Sequence, residues 1–268
     1  MIKLFFISSF TLSSFFIVGQ SETDETKNRK SNIQLNFGLV HCRLIDEGYT
    51  GSKLLFKGTN SKFSLGYGRE TKQDIFNVLT AGSFGNVASK GSNLNSNFDY
   101  INFYIEYLRK NKQFEILGQK NEFIAGIHLS SINYVMNNEH IFDNVSIFSL
   151  HGVYFNVGNH FKLNEKHGLQ LIYLLPTIVY TNRVLYNSGA SEITYEDLEN
   201  IPRTLTTFGE FTYFDLFDNV QIHVNYLIKI GENVDFQVKY KFFFVENNIE
   251  APLHIYSNEF LFGLKIRI

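Results

Sequence analysis

From Asn219 onward apolar residues recur at every second position, and this period constrains the fold more than any other feature of the chain. In Asn219–Ile230 (NVQIHVNYLIKI), Val220, Ile222, Val224, Tyr226, Ile228 and Ile230 share one face. Asn219, Gln221, His223, Asn225 and Lys229 share the other, with Leu227 the exception. After Gly231-Glu232-Asn233 the pattern resumes: Val234, Phe236, Val238, Tyr240 and Phe242 alternate with Asp235, Gln237, Lys239 and Lys241. A period of two predicts β-strands, and the short GEN turn predicts a hairpin. A helix would scatter these apolar residues around its circumference.

The same signal runs upstream. In 101–109, Ile101, Phe103, Ile105 and Tyr107 stand opposite Asn102, Tyr104, Glu106 and Leu108. In 122–131, Phe123, Ala125, Ile127 and Leu129 stand opposite Glu122, Ile124, Gly126, His128 and Ser130. It is softer in 62–70, 147–158 and 168–180, where Pro176 fits poorly into the centre of a soluble sheet. No helix of useful length is expected; the best candidate is the acidic stretch 191–200. Long polar connections are expected at Asp46–Gly51, Gly85–Ser96, Tyr134–Asn144 and Asn187–Pro202, and short ones at Thr71–Gln73, Lys110–Lys112 and Lys162–Lys166. Alternating long loops and tight turns is the layout of an up-and-down membrane barrel. Segments near 32–44, 53–69, 73–85, 97–109, 113–133, 145–161, 167–182, 203–215, 218–230, 234–245 and 258–268 are expected strands. A further short strand in 248–256 would give an even twelve, with ten as the alternative.

The first residues, MIKLFFISSFTLSSFFIVGQ, place Lys3 before an apolar run from Leu4 to Val18, then Gly19. This is the layout of a cleaved signal peptide, expected over 1–19. The run is short for a spanning helix, which needs about 20 apolar residues. Residues 20–31 read as a charged, flexible lead-in, and 32–268 as the barrel domain. The sole cysteine, Cys42, excludes an intramolecular disulfide and is not placed to anchor a lipid near the cut. A net charge of −2 without a basic stripe argues against a nucleic-acid partner. No uncharged run after the first residues reaches the length of a membrane helix, so a membrane protein with this sequence has to cross with strands.

In such a barrel all backbone polar groups pair between strands, and side chains alternate between lipid and lumen. The expected lumen residues are Asn102, Glu106, Glu122, His128, Gln221, His223, Asn225, Lys229, Asp235, Gln237, Lys239 and Lys241. A soluble lipocalin-like barrel would invert the faces, apolar inside and polar outside. Periodicity alone does not say which face is in. Strands of about 9–13 residues, 28 Phe and 15 Tyr, and the final segment favour the membrane. In that segment (NEFLFGLKIRI) Phe260, Phe262, Leu264, Ile266 and Ile268 are expected toward lipid, and Lys265 and Arg267 toward the interior.

These features resemble the bacterial outer-membrane β-barrel class, whose last strand ends in alternating apolar residues read by the barrel-assembly machinery. Ile268 departs from the commoner terminal Phe. The resemblance implies a Gram-negative outer membrane, with its lipids and the assembly machinery as partners. The solute or surface partner is not legible. The expected role is passive transport or a surface or structural one, without a cofactor.

One enzymatic alternative is an outer-membrane lipid hydrolase, because some of those enzymes keep a His and a Ser close together on the lipid side of a barrel strand. His128 and Ser130 are the candidates here, as base and nucleophile. They fall on the polar face, which is the face expected to line the lumen. The other histidines lack metal-site spacing. Glu192, Glu196, Asp197 and Glu199 read as a solvated acidic loop rather than a cation site. Neither Gly85-Asn86 nor 91–97 has the form of a phosphate-binding loop.

Overall fold

The computed structural model describes residues 30–50, 53–89, 94–116, 119–138, 144–186, 209–213, 219–247 and 252–268. The leader 1–19, the lead-in up to residue 29, the acidic stretch 191–200 and residues 203–208 lie outside the described residues. The chain forms β1 (Lys30–Asp46), a one-turn helix α1 (Glu47–Thr50), β2 (Leu55–Glu70), β3 (Asp74–Ser89), β4 (Asn95–Ile116) and β5 (Gln119–Asn138). There follow β6 (Asn144–Lys162), β7 (His167–Tyr186), β8 (Gly209–Tyr213), β9 (Asn219–Lys229), β10 (Val234–Asn247) and β11 (Leu253–Arg267).

Every pairing is antiparallel between neighbours, and β1 closes on β11 from Asn32↔Arg267 to Asp46↔Leu253. Following the pairings from β6 through β1, β11, β10, β9 and β7 back to β6 gives a closed ring of ten strands. Ten is the lower of the two counts the sequence left open, and two features account for it. First, β8 is not a separate stave. It pairs with Ile178–Asn182 on the same edge of β7 whose other half, His167–Leu174, pairs with β9. Second, residues 253–256 are the beginning of β11, so no additional strand forms there.

The strands overrun the expected loops. Lys110–Lys112, expected as a tight turn, lies inside β4, which continues to Ile116 with a register shift between Lys110 and Gln113. Likewise β3 runs to Ser89 and β5 to Asn138. The 22 residues of β4 and 20 of β5 are about twice the 9–11 that cross a bilayer. Pro176 sits where the β6–β7 register shifts, with Val153 opposite Ile178 and Tyr154 opposite Pro176. A bulge is where a strand tolerates a residue without an N–H. The hairpins at 71–73, 163–166 and 231–233 are tight; in the last, the N–H groups of Ile230 and Gly231 both donate to the Val234 carbonyl, at 3.1 and 3.0 Å.

The length of the strands is explained by a change of phase. In the half nearer the chain termini, Ile33, Leu35, Phe37 and Leu39 of β1 are exposed, while Asn32, Gln34 and Asn36 are buried. From Val40 the apolar residues change parity: Val40, Cys42 and Leu44 are buried and Arg43 is exposed. β4 does the same in reverse. Phe98 and Tyr100 are buried, then Asn102, Tyr104 and Glu106 take the inward places and Tyr107 faces out. β5, β10 and β11 switch as well, at Leu129/Ile132, Phe242/Phe243 and Ile255/Phe260. The barrel is therefore built in two storeys. The terminal storey is apolar outside and largely polar inside. The far storey is filled by a hydrophobic core that includes Leu44, Phe56, Phe98, Tyr134, Met136, Phe148 and Val245.

Gly38 marks the join between the storeys. A Cβ built there would lie 1.8 Å from the Phe260 carbonyl oxygen, inside any van der Waals contact. The backbones of β1 and β11 approach at this point because nothing projects from Gly38. Gly38→Ala is expected to lower unfolding stability by about 1–3 kcal/mol, the usual cost of overpacking. Urea titration of the refolded barrel checks this, and an unchanged midpoint would mean that the closing strands are free to separate.

Candidate functional site: the lumen and the outer wall

Which face points inward is decided by bonds between strands that are not neighbours in the ring. Lys239 of β10 donates to Gln34 Oε1 of β1 at 2.8 Å, and Gln237 to Asn36 Oδ1 at 2.6 Å. Lys62 of β2 meets Glu259 of β11 at 2.5 Å. Asn156 of β6 reaches Glu106 of β4 at 3.0 Å, and Asn77 of β3 holds the other Glu106 oxygen at 3.0 Å. Toward the terminal mouth, Glu70 takes Lys110 at 2.7 Å and Lys265 at 3.1 Å, and Asp235 pairs with Arg267. At the far end Asp46 of β1 pairs with Arg183 of β7, both fully buried, and Ser146 of β6 donates to Asp46 at 2.8 Å. Apart from the adjacent-strand contacts of Asn77 with Glu106 and of Asp235 with Arg267, such bonds can form only across an enclosed interior.

Most residues expected in the lumen take part in this network or line its remaining space. Asn102, Glu106, His128, Gln221, Asp235, Gln237 and Lys239 are buried. His128 Nδ1 lies 3.7 Å from Glu106. Its ring stacks on Tyr104 at 4.8 Å and meets His223 edge-on at 6.0 Å. Lys241 sits over the Tyr104 ring at 4.5 Å. His223, Asn225, Gln237, Lys239 and Lys241 border a cavity of about 80 Å³ together with Gln34, Asn77 and Gln170. Glu122 faces His160 at 3.5 Å and is partly exposed, and Lys229 is exposed at the strand end. Sequence reasoning missed Gln34, Asn36, Lys62 and Glu259. Their signal was present, since Lys62 and Ser64 are the polar partners of Phe63 and Leu65, and Glu259 precedes Phe260.

The outer wall of the terminal storey carries a continuous apolar band: Leu35, Phe37, Phe63, Leu65, Ile127, Leu129, Phe155, Leu171, Phe260, Phe262 and Leu264 are exposed. Ile33 to Leu39 advances roughly 20 Å along its strand at ~3.4 Å per residue, on the scale of the ~25 Å band of membrane barrels. Tyrosines tie the band's edges to polar groups. Tyr107 donates to Asp74 at 2.8 Å, Tyr226 meets His167 at 2.7 Å, and Tyr240 donates to Asn258 at 2.7 Å. This is the girdle expected where amphipathic rings sit between lipid and water.

No family model and no curated protein matches the chain. Among solved structures, the outer membrane protease OmpT from Escherichia coli aligns over 93% of this chain and 99% of its own, at TM-score 0.56 and 10% identity. Neisserial surface protein A aligns over 89% and 97%, at 8% identity and a TM-score of 0.41, and adds nothing to the first. The fold is that of an outer-membrane β-barrel.

Within this barrel His128 and Ser130 both face the lumen, 1% and 6% exposed, and no hydrogen bond joins them. His128 is engaged by Glu106 and aromatic rings, and the Ser130 hydroxyl has no hydrogen-bond partner among the described residues. Neither is presented to a lipid on the outer wall. Among the described residues no cluster of His, Cys, Asp and Glu is arranged to hold a metal.

Proposed function

We propose that this chain is an integral outer-membrane barrel with a sealed lumen, acting at its outer wall and far rim in a surface or structural role rather than as a conduit. The observation that carries this reading is the filled interior: cross-lumen bonds such as Lys62–Glu259 and Lys239–Gln34 in one storey, and a hydrophobic core above them. Barrels of this size are commonly filled by side chains, whereas open aqueous channels belong to larger strand numbers. The apolar band and its tyrosine girdle support a bilayer as the surrounding medium. In this reading residues 1–19 direct export and are removed. The chain termini face the periplasm, the far storey faces outward from a Gram-negative cell, and the assembly machinery engages Phe260, Phe262, Leu264, Ile266 and Ile268. OmpT is a protease; at 10% identity that activity does not carry over.

Planar-bilayer recording of the refolded barrel in concentrated KCl tests the sealed lumen. No unitary steps above baseline are expected. Reproducible steps of uniform size would overturn it and restore passive transport.

A further inference from the structure

A Ser–His pair does occur on the outer wall: its serine is the residue after Ser130, and its histidine comes from the neighbouring strand. Ser131 of β5 and His151 of β6 are directly opposed across the strands. The Ser131 Oγ and His151 Nδ1 atoms are 2.9 Å apart, within the reach a general base needs from a nucleophile. Both are half-buried on the outward face, not in the lumen. The Asn133 amide, two residues up the same face, donates to Ser131 Oγ at 3.3 Å. On its other side the His151 ring lies nearly parallel to that of Tyr180, with centroids 6.3 Å apart and planes at 19°, and Tyr180 packs on Phe211 at 4.8 Å.

The level of this pair on the wall matters as much as its geometry. Below it on β5 stand Leu129 and Ile127, and below it on β6 stands Phe155, all exposed members of the apolar band. Above it the next outward residues are polar, Asn133 on β5 and Ser149 on β6, before Val135 and Ile147 follow them. The pair is thus the first polar group above the hydrocarbon, flanked by aromatic rings. That is the depth at which the acyl ester carbonyls of a membrane lipid lie, between their chains and their headgroups.

We propose that Ser131 and His151 form an ester-hydrolysing site for acylated lipids of the surrounding leaflet, with Asn133 donating to the oxyanion. Ser131 Oγ attacks the ester carbonyl carbon while His151 Nδ1 takes its proton. The carbon–oxygen bond to the lipid alcohol breaks, and His151 returns the proton to that leaving oxygen. Water then attacks the acyl-serine, His151 accepts its proton and passes it to Ser131 Oγ, and a fatty acid departs. Ester and water are consumed, fatty acid and alcohol are formed, and no other reactant is needed. For His151 to accept through Nδ1, its remaining ring proton has to sit on Nε2. Among the described residues the Tyr180 ring, rather than a carboxylate, holds the imidazole plane. The site lies on the wall, so it stands whether or not the lumen conducts.

The test uses the refolded barrel, its folding verified by heat-modifiable gel mobility. It is placed in vesicles of phosphatidylethanolamine and phosphatidylglycerol, and separately in vesicles containing hexa-acylated lipid A. Fatty-acid release is measured for the parent, Ser131→Ala, His151→Asn and two controls, Ser130→Ala and His41→Asn. The second control removes an analogous outward pair, His41 with Thr59 at 2.9 Å. A fluorophosphonate probe reports the nucleophile directly. Release and labelling by the parent and both controls are expected, with a loss of about 100-fold or more in Ser131→Ala and His151→Asn. The vesicle that supports release names the lipid. A folded parent that neither releases fatty acid from either vesicle nor takes the label would overturn the proposal, as would full activity in Ser131→Ala or loss only in Ser130→Ala.

Discussion

Lys62→Ala is expected to unfold at a much lower urea concentration than the parent, a loss of about 3–5 kcal/mol. The Lys62 and Glu259 side chains are 1% and 3% exposed and 2.5 Å apart. Lys62 also stands over the Tyr100 ring at 4.3 Å. Removing the ammonium leaves the buried Glu259 carboxylate without its hydrogen-bonded partner, and breaking a buried pair by removing one member costs far more than the net worth of the pair. Glu259→Ala is expected to be comparably damaging for the mirror reason. The double replacement Lys62→Met/Glu259→Leu removes both charges at similar volume and is expected to recover most of the loss. The chain has no tryptophan, so unfolding is followed by far-UV circular dichroism or gel mobility. If Lys62→Ala matches the parent, water reaches the pair and the lumen is not closed at this level.

The two-storey wall predicts that one residue type will have effects of very different size at different heights and faces. Phe262→Arg places a charge in the outward apolar band and is expected to cost about 2–4 kcal/mol. Tyr256→Arg is also outward and on the same strand, but in the far storey, so a cost of about 0–1 kcal/mol is expected. Leu44→Arg is inward in the far storey, where Leu44 is fully buried beside Phe56 and Ile255. There an unpaired guanidinium enters a dry core, with a loss of about 3–5 kcal/mol or failure to fold. Folding yield and urea midpoint in vesicles measure all three. Equal losses for Phe262→Arg and Tyr256→Arg would show that the hydrocarbon reaches the far storey and that the band has been drawn too short.

The membrane barrel was legible because alternation in β9, β10 and the end of β11 is nearly uninterrupted. What escaped was the far storey, although its signal was written plainly. The apolar residues of β1 move from odd positions (Ile33 to Leu39) to even ones (Val40 to Leu44) without an inserted residue. Read for one period at a time, such a change looks like the strand ending. The charged run Lys110–Lys112 resembles a turn on its own account: it lies at the other end of β4, where the strand continues through a register shift. A strand that leaves lipid for water must exchange its faces, because the solvent outside changes while the inside remains enclosed. The strand count was illegible for a different reason. β8 and β9 lie end to end along β7, and sequence periodicity cannot distinguish two segments that share one edge from two neighbouring staves. The Ser131–His151 pair depended on register, since only the β5–β6 pairing reveals that these residues meet.

The charged outer surface of the far storey carries a consequence for biogenesis. If that storey ends up on the side opposite the termini, then Arg43, Lys57 and Asp99, all on its outward face, must be carried through the hydrocarbon to arrive there. Each such charge meets a barrier of about 2.5–3.5 kcal/mol at the bilayer centre. The apolar filling of the same storey must cross with them, either still unpacked or already collapsed around its core. Insertion, rather than the final fold, is then the costly event in this protein's life, and a thinned or locally disturbed bilayer is where it should proceed fastest.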